Sequence, residues 1–152
     1  MLKRLDPLLT PDLLYALAAM GHGDVLALVD ANFPSDSVAR QTALGRLVRL
    51  DGASAARAAR AILSLLPLDS FVDTPAVRME VVGNPREILP VQHEVQVEID
   101  QAEGRSWPMG SLERMAFYEQ ARRAYCVVAT GEPRFYGCFL FTKGVIAPDQ
   151  GH

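Results

Sequence analysis

The sequence predicts an α/β fold, a layered single domain whose central mixed sheet of about five or six strands is flanked by helices. Three observations carry that reading. Short apolar runs of strand length, at residues 25–29 and 125–129, alternate along the chain with segments of helical periodicity. At 152 residues, 49% hydrophobic and 22% charged, the chain fits one domain with a substantial core. No linker, internal repeat or low-complexity stretch divides it.

Taken in order, Thr10-Pro11-Asp12 is a helix start: a hydroxyl cap, a proline at the first helical position and an acid in the first turn. Leu13, Leu14, Leu17 and Met20 mark the apolar face, and Gly21 is expected to close the helix in a left-handed conformation. The nearly continuous apolar run at 25–29 reads as a buried strand. Residues 30–36 read as loop, with Pro34 ending any strand, and a shorter strand is expected over 46–50 before the Asp51-Gly52 turn. Ser54 caps an alanine-rich helix whose Ile62, Leu63, Leu65 and Leu66 run up to Pro67. Alternation of Val and Met with Arg and Glu over 77–82 predicts a strand with one more polar face. Asn84-Pro85-Arg86 opens a helix expected to continue to Ile99; 104–110 read as loop, and Ser111 caps a helix to about Arg123. The last strands are expected at 125–129 and 135–141, with Thr130-Gly131-Glu132-Pro133 between them. That makes roughly four helices among five strands.

A formal charge of −3 and scattered arginines give no footprint for nucleic acid. No apolar run approaches the roughly 20 residues that span a bilayer, and Asp6-Pro7 interrupts the start of the chain, against a secretory signal. Neither a nucleic-acid nor a membrane partner is therefore expected. Cys126 and Cys138 lack CxxC spacing and sit in apolar surroundings, so they read as buried free thiols of a cytoplasmic protein. Without a metal-ligand cluster, the chain is not expected to be a zinc or iron enzyme.

The chemistry concentrates at Met20-Gly21-His22-Gly23-Asp24 and, after the first strand, Asp30-Ala31-Asn32-Phe33-Pro34. An imidazole between two glycines, with acids nearby, is a candidate proton-transfer centre. It reads equally as a polar loop residue beside a helix cap. Arg114 and Tyr118, one helical turn apart, read by themselves as a solvated charge and a half-buried aromatic. Phe33, Tyr118, Tyr136 and Trp107 are available as the aromatic wall of a pocket. Trp107, the single tryptophan, reads as a pocket lid or as a loop anchor. His93 reads as an exposed structural residue, and His152 as a frayed end.

Four motifs in order, the two above together with Arg114-Met115-Ala116-Phe117-Tyr118-Glu119 and the stretch from Thr130-Gly131-Glu132 to Tyr136-Gly137, resemble the ribose pyranase and L-fucose mutarotase family, most closely its fucose mutarotase branch. The matches run from residue 7 to about 145, and the 83–110 segment carries none of them. The resemblance implies a cofactor-free isomerase that interconverts the α and β anomers of a monosaccharide by acid/base ring opening and closure. It also implies a homo-oligomer, typically a ring-shaped decamer with sites between subunits. By position, it makes His22 and Tyr118 the catalytic acid/base pair, and Asp30, Arg114, Tyr136 and Cys138 the sugar-binding residues. Cys138 stands where the family pattern has asparagine, and a thiol is a much poorer hydrogen-bonding group. His22 follows a helix C-terminus, where the dipole favours imidazolium, and Asp24 and Asp30 are expected to act in the same direction. Two other classes stay open: a non-catalytic sugar-binding accessory of an uptake system, and an oligomeric scaffold with a vestigial site.

Overall fold

The computed structural model describes residues 1–150, so His152 lies outside the described residues. Thr10 caps helix α1 (Pro11–Ala19) by accepting the Leu13 N–H at 3.2 Å. The helix closes at Met20 in an extended conformation, and the left-handed residue is Gly23 (φ 85°) rather than Gly21. Strand β1 (Val25–Val29) follows as expected. The segment read as loop contains a short helix, α2 (Ser35–Ala39), which has no side-chain cap and is held by burial of Val38 and Ala39. Strand β2 (Val48–Leu50) is shorter than expected, and Ser54 caps α3 (Ala55–Leu63) through the Arg57 N–H at 3.2 Å.

Strand β3 (Ala76–Met79) ends early, because the chain turns through the Val81–Asn84 bridge. Helix α4 (Pro90–Glu103) starts at Pro90 rather than Asn84. The missing N–H of Pro90 costs nothing in a first turn, which makes it a better first residue than an interior one. Residues 110–112, expected as loop and cap, form strand β4 (Gly110–Leu112). Helix α5 (Arg114–Arg122) is therefore capped by Glu113 instead of Ser111: the carboxylate accepts the Met115 and Ala116 N–H groups at 2.8 and 3.1 Å. Strands β5 (Cys126–Thr130) and β6 (Phe139–Thr142) complete a six-stranded sheet.

The strand order is β2-β5-β1-β6-β3-β4. β6 runs antiparallel to both its neighbours, β1 and β3, while the remaining pairs are parallel. Strand alternation sends Leu26, Leu28, Cys126, Val128, Phe139 and Phe141 to one face, packed against α1, α3 and α4. Ala27, Val29, Val127, Ala129 and Leu140 point to the other face, under Val38 of α2 and Phe117 and Ala121 of α5. Burying each large side chain, such as Phe117, Phe139 or Phe141, contributes about 1.5–3 kcal/mol. Among the described residues, no helix is long and apolar enough to cross a membrane.

This topology gives the sheet two poles. β1, β3 and β4 deliver their carboxyl ends to one pole, and the reversed β6 begins there. The amino ends of β1 and β3 and the exit of β6 share the opposite pole.

Candidate functional site

At the carboxyl-end pole lies a cavity of about 240 Å³, where parallel strands of α/β sheets commonly present ligand sites. Asp30, next after β1, is only 4% exposed. Its Oδ1 accepts the Asn32 and Phe33 N–H groups at 2.9 and 3.0 Å, so the turn of backbone itself aims the carboxylate. Its Oδ2 accepts the Cys138 thiol at 3.3 Å. Burial, reinforced by the Asp30 charge, pushes the Cys138 thiol well above its ordinary pKa, which keeps it a donor. Cys138 lines the floor of the cavity with its hydrogen bond spent on Asp30.

Arg114 and Tyr118 reach the cavity from one stripe of α5, while Phe117 and Ala121 on the adjoining stripe are buried in the sheet. The Arg114 guanidinium lies 5.9 Å from the Tyr118 ring centroid. Tyr118 stands edge-on to Phe33, 5.2 Å between centroids. Phe33 in turn stands edge-on to Phe117 at 6.0 Å, so the aromatic wall is anchored in the core. Tyr136 arrives from the turn before β6, and Phe135 beside it forms a lip that is 70% exposed. The next residue is glycine because a Cβ at Gly137 would stand 3.0 Å from the Glu132 side chain and 3.4 Å from Asp30.

His22 is elsewhere. It precedes β1, while Asp30 follows it, so the two occupy opposite poles. The Gly23 N–H donates to the carbonyl of Lys143, just past the end of β6, which fixes the turn there at 2.8 Å. The expectation that Asp30 acts on the imidazole is corrected, because Asp30 is at the far end of the strand; the Asp24 carboxylate accepts the Gly21 N–H at 2.7 Å. Nor does His22 serve the end of α1, where the Lys143 ammonium donates to the carbonyls of Leu17 and Met20.

The partner of His22 is Asp69, 3.1 Å from its Nε2. A carboxylate only accepts, so Nε2 carries the proton and Nδ1 is left free. The Asp69 side chain is 3% exposed and that of His22 47%. The Phe71 N–H, together with His22, holds the Asp69 carboxyl below its ordinary pKa. The Asp69 N–H donates to the Thr142 carbonyl at 3.0 Å, tying this dyad to the exit of β6. Asp69 escaped the reading of the sequence because it lies 47 residues from His22, in a loop with no local pattern to mark it.

The structure thus gathers Asp30, Arg114, Tyr118, Tyr136 and Cys138 around one cavity and leaves His22 outside it. A larger hollow of about 630 Å³ lies beside that cavity. Two of its charged side chains, Arg49 and Asp51, already pair with each other at 3.0 Å, so we place the site in the smaller one. Trp107 is a loop anchor remote from it, with its backbone N–H on Asp100 and the Arg105 guanidinium 3.9 Å over its ring. His93 is exposed on α4, and both cysteines are buried and free.

Residues 3–146 match the sequence pattern of the RbsD / FucU transport protein family. The chain belongs to that family. The solved structure of protein Atu2016 is 62% identical, with a TM-score of 0.95 and 97% of each chain covered. The fucose mutarotase of Bos taurus is 44% identical over 150 residues, covering 97% of this chain and 95% of the relative. The crystal structure of the fucose mutarotase from Streptococcus pneumoniae in complex with L-fucose is 37% identical, with a TM-score of 0.85, covering 96% of this chain and 100% of that one. The 83–110 segment, which carries none of the four motifs, folds into α4 and its flanking turns within this family architecture.

Proposed function

We propose that this RbsD / FucU family member is a sugar mutarotase that interconverts the anomers of L-fucose or a closely related monosaccharide in the cytoplasm. The observation that carries the reading is the cavity at the carboxyl ends of β1, β3 and β4. There an oriented carboxylate, a guanidinium and two phenols face one another across an aromatic wall. Such a set suits the hydroxyls and the apolar face of a pyranose, and relatives across nearly the full chain are named fucose mutarotase. Free buried thiols are in keeping with a reducing compartment.

Mutarotation needs a base that takes the proton from the anomeric hydroxyl and an acid that protonates the ring oxygen. The bond from the anomeric carbon to the ring oxygen then breaks, leaving an open-chain aldehyde. Its carbonyl face turns and the steps reverse, so no electron or atom is gained or lost. We assign the proton transfers to His22, oriented by Asp69, and Tyr118. Asp30 and Arg114 hold sugar hydroxyls by charge-assisted hydrogen bonds. Tyr136 lines the pocket, and Cys138 acts on the sugar through Asp30.

Because His22 stands at the opposite pole, the assignment requires a second copy of the chain to bring its His22–Asp69 dyad to the Asp30 cavity. A ring of ten subunits, each giving its histidine to a neighbour, satisfies that requirement. The exposed Phe71 beside His22 and the exposed Phe135 at the cavity lip are the apolar surfaces such a contact would cover.

Saturation-transfer NMR on L-fucose, with D-ribose, D-galactose and L-rhamnose as comparisons, tests the reading. Catalytic amounts of the protein should accelerate α–β exchange of L-fucose. Binding without acceleration makes the protein a sugar-binding accessory instead, and neither binding nor acceleration with any sugar makes the cavity vestigial.

A further inference from the structure

We propose that Gln92 is a positioning residue of the sugar pocket, a clamp that holds Tyr136 in its left-handed backbone conformation with the phenol turned to the cavity. Only the kinetic part of the test rests on the mutarotase reading.

Gln92 is fully buried, at 0% exposure, in the first turn of α4, a place where a long amide costs free energy unless every polar atom is bonded. Its two N–H bonds are both used: Nε2 donates to the carbonyl of Met79 at 2.9 Å and to that of Tyr136 at 3.1 Å. Its Oε1 accepts the Leu89 N–H at 3.2 Å, closing the start of the helix. The two carbonyls only accept and the Leu89 N–H only donates, so the amide has a single satisfying orientation. One side chain therefore joins the end of β3, the start of α4 and the turn into β6.

Tyr136 needs such a tie. Its φ of 62° is one that residues with a bulky side chain adopt only when their surroundings enforce it. Glycine would relax there, but glycine has no phenol to offer the cavity. At the other end of the residue, the Tyr136 hydroxyl oxygen accepts the Val82 N–H at 3.2 Å. That fills one lone pair from the protein side and leaves the hydroxyl hydrogen to donate into the cavity. Backbone and phenol are thus fixed from the same stretch of chain, residues 79–92. The amide acts on the sugar only through Tyr136.

The test uses the full-length assembly. Gln92→Met conserves volume and removes all three hydrogen bonds. Gln92→Glu keeps an acceptor for the Leu89 N–H, and so the helix cap, while leaving at most one donor, that of the neutral acid, for two carbonyls. In hydrogen–deuterium exchange read by mass spectrometry, the segment 80–86 should lose the protection of the Val82 amide in both variants, as in Tyr136→Phe, which deletes its acceptor. Residues 95–103 of α4 should keep theirs in Gln92→Glu. In exchange kinetics with L-fucose, both Gln92 variants should raise KM roughly tenfold with kcat within about twofold. In a Tyr136→Ala background, Gln92→Glu should add nothing further to KM. Unchanged protection at 80–86 overturns the clamp, as does a KM loss that multiplies with that of Tyr136→Ala. A wild-type protein without sugar exchange overturns the mutarotase reading, and the deuterium measurement still decides the clamp.

Discussion

If His22 serves a neighbouring chain, two inactive variants should restore each other when their subunits are mixed. The five residues of β1 rise about 3.3 Å each, roughly 16 Å in all, before the turn that carries His22 adds to the separation. Proton transfer needs heavy atoms about 2.6–3.2 Å apart, so no sugar in the Asp30 cavity reaches the histidine of its own chain. His22→Ala should lower exchange by about 10²–10⁴-fold, and Asp30→Asn, which weakens the charge-assisted hold on the sugar, by roughly 10–10²-fold, each as a pure assembly. Co-expressed in equal amounts under different affinity tags and purified through both, they form mixed assemblies. A site made between chains draws its histidine and its aspartate independently, so roughly a quarter of sites hold both intact. Saturation-transfer NMR should then find about that fraction of wild-type exchange, far above either parent. Doubly tagged assemblies that stay as inactive as the parents would refute the argument, because a site within one chain is always broken in such a mixture.

Three further outcomes follow from the same geometry. Tyr118→Phe should keep the assembly and the L-fucose affinity while lowering exchange, since only the hydroxyl is lost and Phe33 still packs on the ring; sedimentation and exchange NMR check this. Asp69→Asn should lower exchange by roughly tenfold or more, the worth of a hydrogen bond to a charged group, with L-fucose affinity measured by calorimetry unchanged. Glu132→Ala leaves the buried Ala55 N–H unpaired, which costs about 1–3 kcal/mol in urea unfolding at fixed protomer concentration. The accompanying loss of its Arg134 pair adds little, because that guanidinium is 43% exposed. Chiefly through Arg134, the folded protein holds the Glu132 carboxyl below its ordinary 4.5. Its contribution is therefore complete above that value and disappears as the pH falls through the lowered one, so the gap between mutant and wild type should shrink in acid.

Much of the fold was legible because local signals agreed with it. Thr10-Pro11 and Ser54 placed two helix starts, and the apolar run at 25–29 placed a buried strand. The readings failed where a longer-range contact outweighed local chemistry. Ser111 has the chemistry of a cap, yet pairing with Arg78 of β3 draws it into β4 and passes the cap to Glu113. Asn84-Pro85 looks like a helix start, but the Gln92 amide bonded to Leu89 sets the first turn at Pro90. For the site, position in the four motifs was enough to assemble the Asp30 cavity. The separation of His22 from it depends on the direction of β1 between them, and its pairing with Asp69 on a loop far along the chain. No local pattern encodes either.

The single reversed strand has a consequence for how neighbouring sites are joined. β6 is a rigid bar of four buried or half-buried residues, with Cys138 just before it and Lys143, the carbonyl partner of the Gly23 turn, just after it. In a closed ring built as proposed, one end of that bar belongs to the chain's own cavity and the other to the cavity it completes next door. The strand thus joins Cys138, at the floor of one cavity, to the turn that carries His22 by one continuous run of backbone paired with β1.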